Sequence, residues 1–138
     1  LKELSVQANG EHVPPVDMEM AISMDGLFDQ AMVVGDNRPY LSAMVVLNPE
    51  QWEMMARKLG LDPAAPDACE SPQINEMVLE RVALQISAFP GYAQIRRVRC
   101  QLEPWSIENG LITPTLKLKR NEVCSRFADV IDELYANH

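Results

Sequence analysis

Residues 110–120, GLITPTLKLKR, hold the pattern in this chain most suited to chemistry: Lys117, Lys119 and Arg120 crowd behind Pro114, which interrupts regular structure. Three cations where a strand or loop turns into a helix suit recognition of an anion. A lysine held there neutralises charge developing on a phosphoryl or acyl oxygen, an effect worth about 2.7 to 4 kcal/mol in comparable oxyanion sites. A second polar segment, residues 1–15, is also unexplained by packing. Arg96, Arg97, Arg99 and Arg126 share the basic region. For any one cation of this region, a solvated strand edge or helix face is the simpler reading.

Metal and thiol chemistry have little to work with. Cys69, Cys100 and Cys124 lie too far apart for a zinc spacing, and their odd number argues against a disulfide framework, so a reducing cytoplasm is expected. His12 and His138 stand at opposite ends without ligand-like neighbours, and no metal site is expected.

The 138 residues carry a net charge of −8, unevenly spread: residues 1–91 sum to −9, residues 92–126 to +4 and the last twelve to −3. An acidic chain is a poor partner for nucleic acid, whose binding rests on neutralised phosphates. The basic stretch still suits a small polyanion. Apolar runs such as Ala43–Leu47 fall far short of the roughly 20 residues that cross a bilayer, so no transmembrane segment is expected and peripheral membrane association stays open. Length and composition fit a single domain over 1–138 with its own core. Leu1 in place of Met is expected of an excised piece or a processed chain.

The elements that must position these residues can be read in turn. Asn9-Gly10 marks a turn between Leu4–Gln7 and the segment through Val13, a small hairpin. Pro14 and Pro15 open a helix in which Asp17 and Glu19 suit the positive end of the dipole, Val16, Met20, Ala21 and Ile22 form the apolar face, and Asp25-Gly26 is the stop. Leu27–Val34 and Tyr40–Leu47 read as paired strands around a loop at 35–39. Asn48-Pro49 caps a helix that carries Trp52, Met55 and Leu59 and ends at Gly60. Residues 61–73, with three prolines, read as a loop without a functional account. A helix with Ile74, Met77, Val78, Val82 and Ile86 on one face runs up to Pro90-Gly91. Val98, Cys100 and Leu102 alternate with polar residues as in a strand with one wet face. Val123, Phe127, Val130, Ile131 and Leu134 form the stripe of a last helix. The methionines at 18, 32, 44, 54, 55 and 77 read as core filling. The order implies a small α+β domain: a short N-terminal β-hairpin and a mixed or antiparallel three-stranded sheet flanked by helices.

Two segments then carry a resemblance. KELSVQANGEHVPP at 2–15, followed by Asp17, Met18 and Glu19, resembles the hinge and glycine-loop motif of the adenylate-forming acyl-CoA synthetases, whose usual form is close to GRxKE, a short hydrophobic strand, then GExVxPxxIE. The leading Gly-Arg is absent and falls just before Leu1, as at a junction between domains. GLITPTLKLKR resembles the carboxy-terminal lysine motif of the long-chain fatty acid branch, where other branches show PKTxxGKxxR. FDQAMVVGDNRPYLSAMVVLNPE, between them, looks like the family's paired core strands, so the resemblance covers most of the chain.

The resemblance implies the mobile C-terminal domain of a long-chain fatty acid CoA ligase, inert when isolated, with its own large N-terminal adenylation domain as partner and fatty acid, ATP and CoA as substrates. It implies Lys117 as the catalytic lysine that bridges carboxylate and α-phosphate, Lys2 as the hinge, and Asn9, Gly10, Glu11 and His12 as the loop along which the CoA arm passes. Arg120 matches the family's arginine after the lysine. Arg96, Arg97 and Arg120 are the expected phosphate contacts. Magnesium is expected with ATP in the N-terminal domain. Two alternatives stay open: another adenylating branch, such as an aryl-CoA ligase or a peptide-synthetase adenylation domain, and a stand-alone α+β domain that binds anions or regulates.

Overall fold

The computed structural model describes residues 6–8 and 11–136, with β1 and β2 described by their backbone. Strand β1 (Val6–Ala8) pairs antiparallel with β2 (Glu11–Val13), Gln7 opposite His12. The hairpin expected here thus has its strands, and its turn at Asn9-Gly10 lies outside the described residues. Helix α1 (Pro15–Ser23) follows, then β3 (Phe28–Val34) and β4 (Leu41–Leu47), α2 (Pro49–Lys58), α3 (Pro72–Gln85), β5 (Ile95–Gln101), α4 (Arg120–Arg126) and α5 (Ala128–Tyr135).

The main sheet has the order β3-β4-β5, antiparallel between β3 and β4 and parallel between β4 and β5, the mixed α+β arrangement expected. All seven residues of β4 are buried, because a central strand covered on both faces needs a continuous apolar run. Its side chains alternate between two cores: Ala43, Val45 and Leu47 join Met18, Ile22, Ile74, Val78 and Val82 under α1 and α3, whereas Met44 and Val46 join Trp105, Leu111, Val123, Ile131 and Leu134 under the C-terminal segment. The sheet is therefore the middle layer of three. Anything the 105–120 segment does is held against the sheet by the second core.

Several boundaries differ from expectation for identifiable reasons. Helix α3 begins at Pro72 and not near Ile74, because Ser71 is a cap whose hydroxyl accepts the Ile74 N–H at 3.2 Å ahead of a proline at the first helical position. It ends at Gln85, before Pro90-Gly91 as expected. Leu102 lies outside β5 and is exposed, since the chain leaves the sheet ahead of Pro104, which lacks the N–H a ladder needs. The last helix is two: the backbone at Phe127, φ −110° and ψ 29°, separates α4 from α5.

Of the face its pattern suggested, α1 buries Ile22 and packs Ala21 against the core, but leaves Val16 and Met20 outside. Met18 and Ile22, one turn apart, are fully buried, while Val16 and Met20 are exposed, Met20 by 66%. Met54 is also exposed, contrary to its reading as core, whereas Met32, Met44 and Met55 are buried. The proline-rich 61–73 stretch folds over α2: the Trp52 indole N–H donates to the Pro63 carbonyl at 3.2 Å, and the stretch buries its own Ala68 and Cys69.

Candidate functional site

After β5 the chain ties itself to the sheet before it reaches the basic motif. The Gln30 side chain both donates to the Trp105 carbonyl and accepts its N–H, each at 2.8 Å, and the buried indole N–H donates to Gln101 at 3.0 Å. Ser106 and Asn109 close the next turn by exchanging hydrogen bonds of 2.9 and 3.1 Å. Gly110 then takes φ +82°, which glycine adopts without steric cost, and delivers Leu111 into the core at 1% exposure.

From that anchor the basic motif rises as a narrow loop. Ile112 and Leu118 form an antiparallel bridge, and the Lys119 N–H donates to the Leu111 carbonyl at 2.9 Å. Across the loop, the Thr113 N–H donates to the Lys117 carbonyl at 2.8 Å and the Thr113 hydroxyl accepts the Lys117 N–H at 3.0 Å. Thr115 adds a hydroxyl contact to Thr113 at 3.1 Å. Leu116, at the tip, has φ +65°. The sequence pattern led to a break at Pro114; the structure gives a closed loop with defined feet.

Lys117 and Lys119 point outward from this loop and are exposed. Among the described residues neither makes an ion pair, whereas Arg38, Arg57, Arg81, Arg99 and Arg120 each have a carboxylate partner. Two cations fixed on an ordered loop and unneutralised by the described residues can meet an anion.

Arg120, one of the expected phosphate contacts, is held elsewhere. As the first residue of α4 it turns back onto α1, where its two terminal nitrogens engage the two carboxylate oxygens of Glu19, at 2.8 Å for Nη1 with Oε2 and closely for Nη2 with Oε1. Glu19 is 9% exposed and its Oε2 also accepts the Val33 N–H of β3 at 2.7 Å. The expectation that Glu19 merely suits its helix dipole is therefore corrected: a buried carboxylate is matched to a guanidinium fork and a backbone donor. Behind this pair a cleft of about 460 Å³ opens between the end of β3 and α4–α5, lined by Val34, Leu118, Asn121, Cys124 and Ile131 among others.

Arg96 and Arg97 lie on β5, two strands from β3, so the structure does not gather them with Arg120. Both are exposed and lie 5.9 and 6.0 Å from the Tyr40 ring centroid. Their neighbour Arg99 is engaged by Glu70 and Glu133. Glu11 and His12 lie on β2, opposite Ala8 and Gln7; Lys2, Asn9 and Gly10 lie outside the described residues. Thr113 and Glu19 were not singled out for the site, although Glu19 closes the first of the two motif resemblances. Among the described residues no group of three or more His, Cys, Asp or Glu side chains converges on a metal position, and no helix is long and apolar enough to cross a membrane.

Comparison with known proteins places these features in context. A family model described as the AMP-binding enzyme C-terminal domain matches residues 2–138. The chain is 31% identical over 137 residues to long-chain-fatty-acid–CoA ligase 5 of Rattus norvegicus, covering 97% of this chain and 20% of that protein. It is 29% identical over 136 residues to long-chain-fatty-acid–CoA ligase FadD15 of Mycobacterium tuberculosis, with 97% and 23% covered. It thus spans about a fifth of the length of these relatives. The fold matches the adenylation domain of a carboxylic acid reductase from Segniliparus rugosus with a TM-score of 0.77 at 24% identity, covering 96% of this chain and 20% of that one. It matches an acyl-CoA synthetase from Brucella canis with a TM-score of 0.58 at 22% identity, covering 94% and 20%.

Proposed function

The chain belongs to the AMP-binding enzyme C-terminal domain family, and from that premise we propose that it is the small domain of an ATP-dependent long-chain fatty acid CoA ligase. The enzyme's chemistry has two halves. A fatty carboxylate oxygen attacks the α-phosphorus of ATP and expels pyrophosphate, giving an acyl-adenylate; the sulfur of CoA then attacks the acyl carbonyl and AMP leaves with the bond electrons. Magnesium, held with ATP on the larger N-terminal domain, would offset phosphate charge in the first half; ATP, fatty acid and that domain complete the site.

Lys117 bridges carboxylate and α-phosphate oxygens in the first half. Two like-charged reactants must approach there, and a fixed ammonium lowers their repulsion most where charge is greatest, in the transition state. The observation that carries this role is its presentation: exposed, without an acidic partner among the described residues, and fixed by Thr113 on a loop anchored through Leu111. An already paired lysine would have to exchange one anion for another.

In the second half the domain turns about Lys2 and offers residues 9–12 to the CoA arm, Gly10 letting it pass close to the backbone beside Asn9, Glu11 and His12. Arg96 and Arg97, both exposed on β5, meet phosphates of the CoA nucleotide. Three cysteines free of disulfide bonds support a cytoplasmic setting.

The test is fatty-acid-dependent ATP–pyrophosphate exchange in the full-length enzyme and its Lys117→Ala variant, beside thioester formation from preformed acyl-adenylate. Exchange is expected to fall by at least a hundredfold, as for loss of an oxyanion donor, with thioester formation within about threefold. Persistence of both activities would remove Lys117 from the chemistry. Replacing CoA by a phosphopantetheinylated carrier protein checks the acceptor; preference for the carrier would place the chain in a peptide-synthetase-like branch.

A further inference from the structure

We propose that Glu19 is a positioning residue for Lys117, acting through Arg120, so that a buried carboxylate on α1 sets how the lysine loop is presented. The inference rests on the role of Lys117 proposed above.

The lysine loop stands on two feet. One is Leu111, sunk in the core, whose carbonyl accepts the Lys119 N–H at 2.9 Å. The other is Arg120, three positions beyond Lys117, and its guanidinium is held by Glu19. Glu19 is itself fixed, since its Oε2 takes the Val33 N–H at 2.7 Å, so the chain of contacts runs from β3 through one carboxylate to the foot of the loop. No local rule demands this pairing: the partners lie 101 residues apart, and neither end of α1 nor of α4 needs it as a cap.

Removing the carboxylate charge would leave a guanidinium that is largely buried and unpaired, a costly state that it escapes by swinging toward the adjoining cleft or solvent. Arg120 opens α4, so such a swing drags the helix start and the three residues linking it to Lys117. Displacement of a reacting group by about an ångström costs on the order of a hundredfold in rate. Glutamine at position 19 keeps the size, the Val33 acceptor and one bond to Arg120, and removes the charge and the fork.

The experiment measures ATP–pyrophosphate exchange in full-length enzyme carrying Glu19→Gln, alone and combined with Lys117→Ala, with thioester formation from preformed acyl-adenylate as the parallel readout. Positioning predicts a fall in exchange of about tenfold or more for Glu19→Gln, thioester formation within about threefold, and no further fall when Lys117 is already alanine. An equal loss in both half-reactions, or the same loss in the Lys117→Ala background, would show a general scaffold role and overturn the proposal, as would full activity. Should Glu19→Gln not fold, Arg120→Lys keeps the charge and loses the fork, and the same pattern is required of it. If Lys117→Ala itself leaves exchange intact, the role of Lys117 fails and the positioning role with it; loss for Lys117→Ala without loss for Glu19→Gln overturns only the latter.

Discussion

The Thr113 hydroxyl accepts the backbone N–H of Lys117 at 3.0 Å while the Lys117 carbonyl accepts the Thr113 N–H at 2.8 Å, so these two residues close the loop that carries the proposed catalytic ammonium. Valine is close to threonine in shape and lacks the acceptor. Thr113→Val leaves an exposed N–H that water can satisfy, so only the net worth of a hydrogen bond is lost, about 0.5 to 1.5 kcal/mol. Exchange activity is expected to drop roughly two- to tenfold, with the melting temperature of the enzyme moving little. An unchanged exchange rate would show that the hydroxyl does not order the loop.

Asp25 and Arg81 join the end of α1 to α3. Arg81 Nε and Nη2 donate to the two carboxylate oxygens at 2.8 and 2.6 Å, and Oδ1 also accepts the Leu27 N–H at 2.9 Å. Burial pushes the Asp25 carboxyl up, and the Arg81 hydrogen bonds, the Leu27 N–H and the Arg81 charge together outweigh it, holding the group below its ordinary value of 3.8. A carboxyl depressed in the folded state contributes stability that is complete above its unfolded value and is lost as pH falls through its folded value. The melting temperature of Asp25→Asn should therefore lie below wild type at neutral pH, with the gap closing below about pH 4. A gap that is constant from pH 7 to pH 3 would refute the linkage.

The elements were legible wherever a local signal sufficed. The all-apolar stretch of β4 announces a strand covered on both faces, and Asn48-Pro49 announces the start of α2, where the Asn48 side chain does accept the Gln51 N–H at 3.1 Å. Ser71-Pro72 carried the same signal and was submerged in a proline-rich stretch. The site was legible as a cluster of cations but not as a geometry. Arg120 reads as one more free cation until Glu19 is found beside it, and Glu19 reads as a dipole partner because a local explanation was at hand. Pairings over a hundred residues leave no periodicity to read. The inward face of α1 was misread in part for a related reason: the buried Glu19 shares the side of Met18 and Ile22, so polarity marked the wrong face as wet.

The three cysteines should differ sharply in reactivity. Burial pushes the Cys100 thiol up to about 12, with the neighbouring Cys69 adding to it. Cys69 is buried as well, its sulfur 3.8 Å from the Cys100 carbonyl, and burial raises its thiol too. Cys124 is exposed beside the cleft; partial burial raises its thiol, and the Arg120 charge works against that rise. Because thiolate fraction and access together set the rate, brief maleimide treatment of native protein at pH 8 followed by peptide mapping should label Cys124 ahead of the other two, which label only on unfolding. Early labelling of Cys69 or Cys100 would mean that the core under residues 61–73 opens readily.

Leu116 sits at the tip of the lysine loop with φ +65° and 76% of its surface exposed. A left-handed backbone costs a residue with a Cβ about 1 to 2 kcal/mol, and an exposed leucine recovers none of that by burial. Glycine relieves the strain but gains unfolded-state freedom worth roughly 0.5 to 1 kcal/mol. The balance favours the variant, so Leu116→Gly should raise the urea midpoint by an amount equivalent to about 0.5 to 1 kcal/mol. The Leu116 N–H to Thr113 carbonyl bond of 2.8 Å involves only backbone and survives the change. If the full-length variant is instead destabilised, the leucine side chain is buried there by something other than this domain. The proposed N-terminal partner would be the first place to look, and a loss of stability seen with that domain present but not without it would locate the contact at the loop tip.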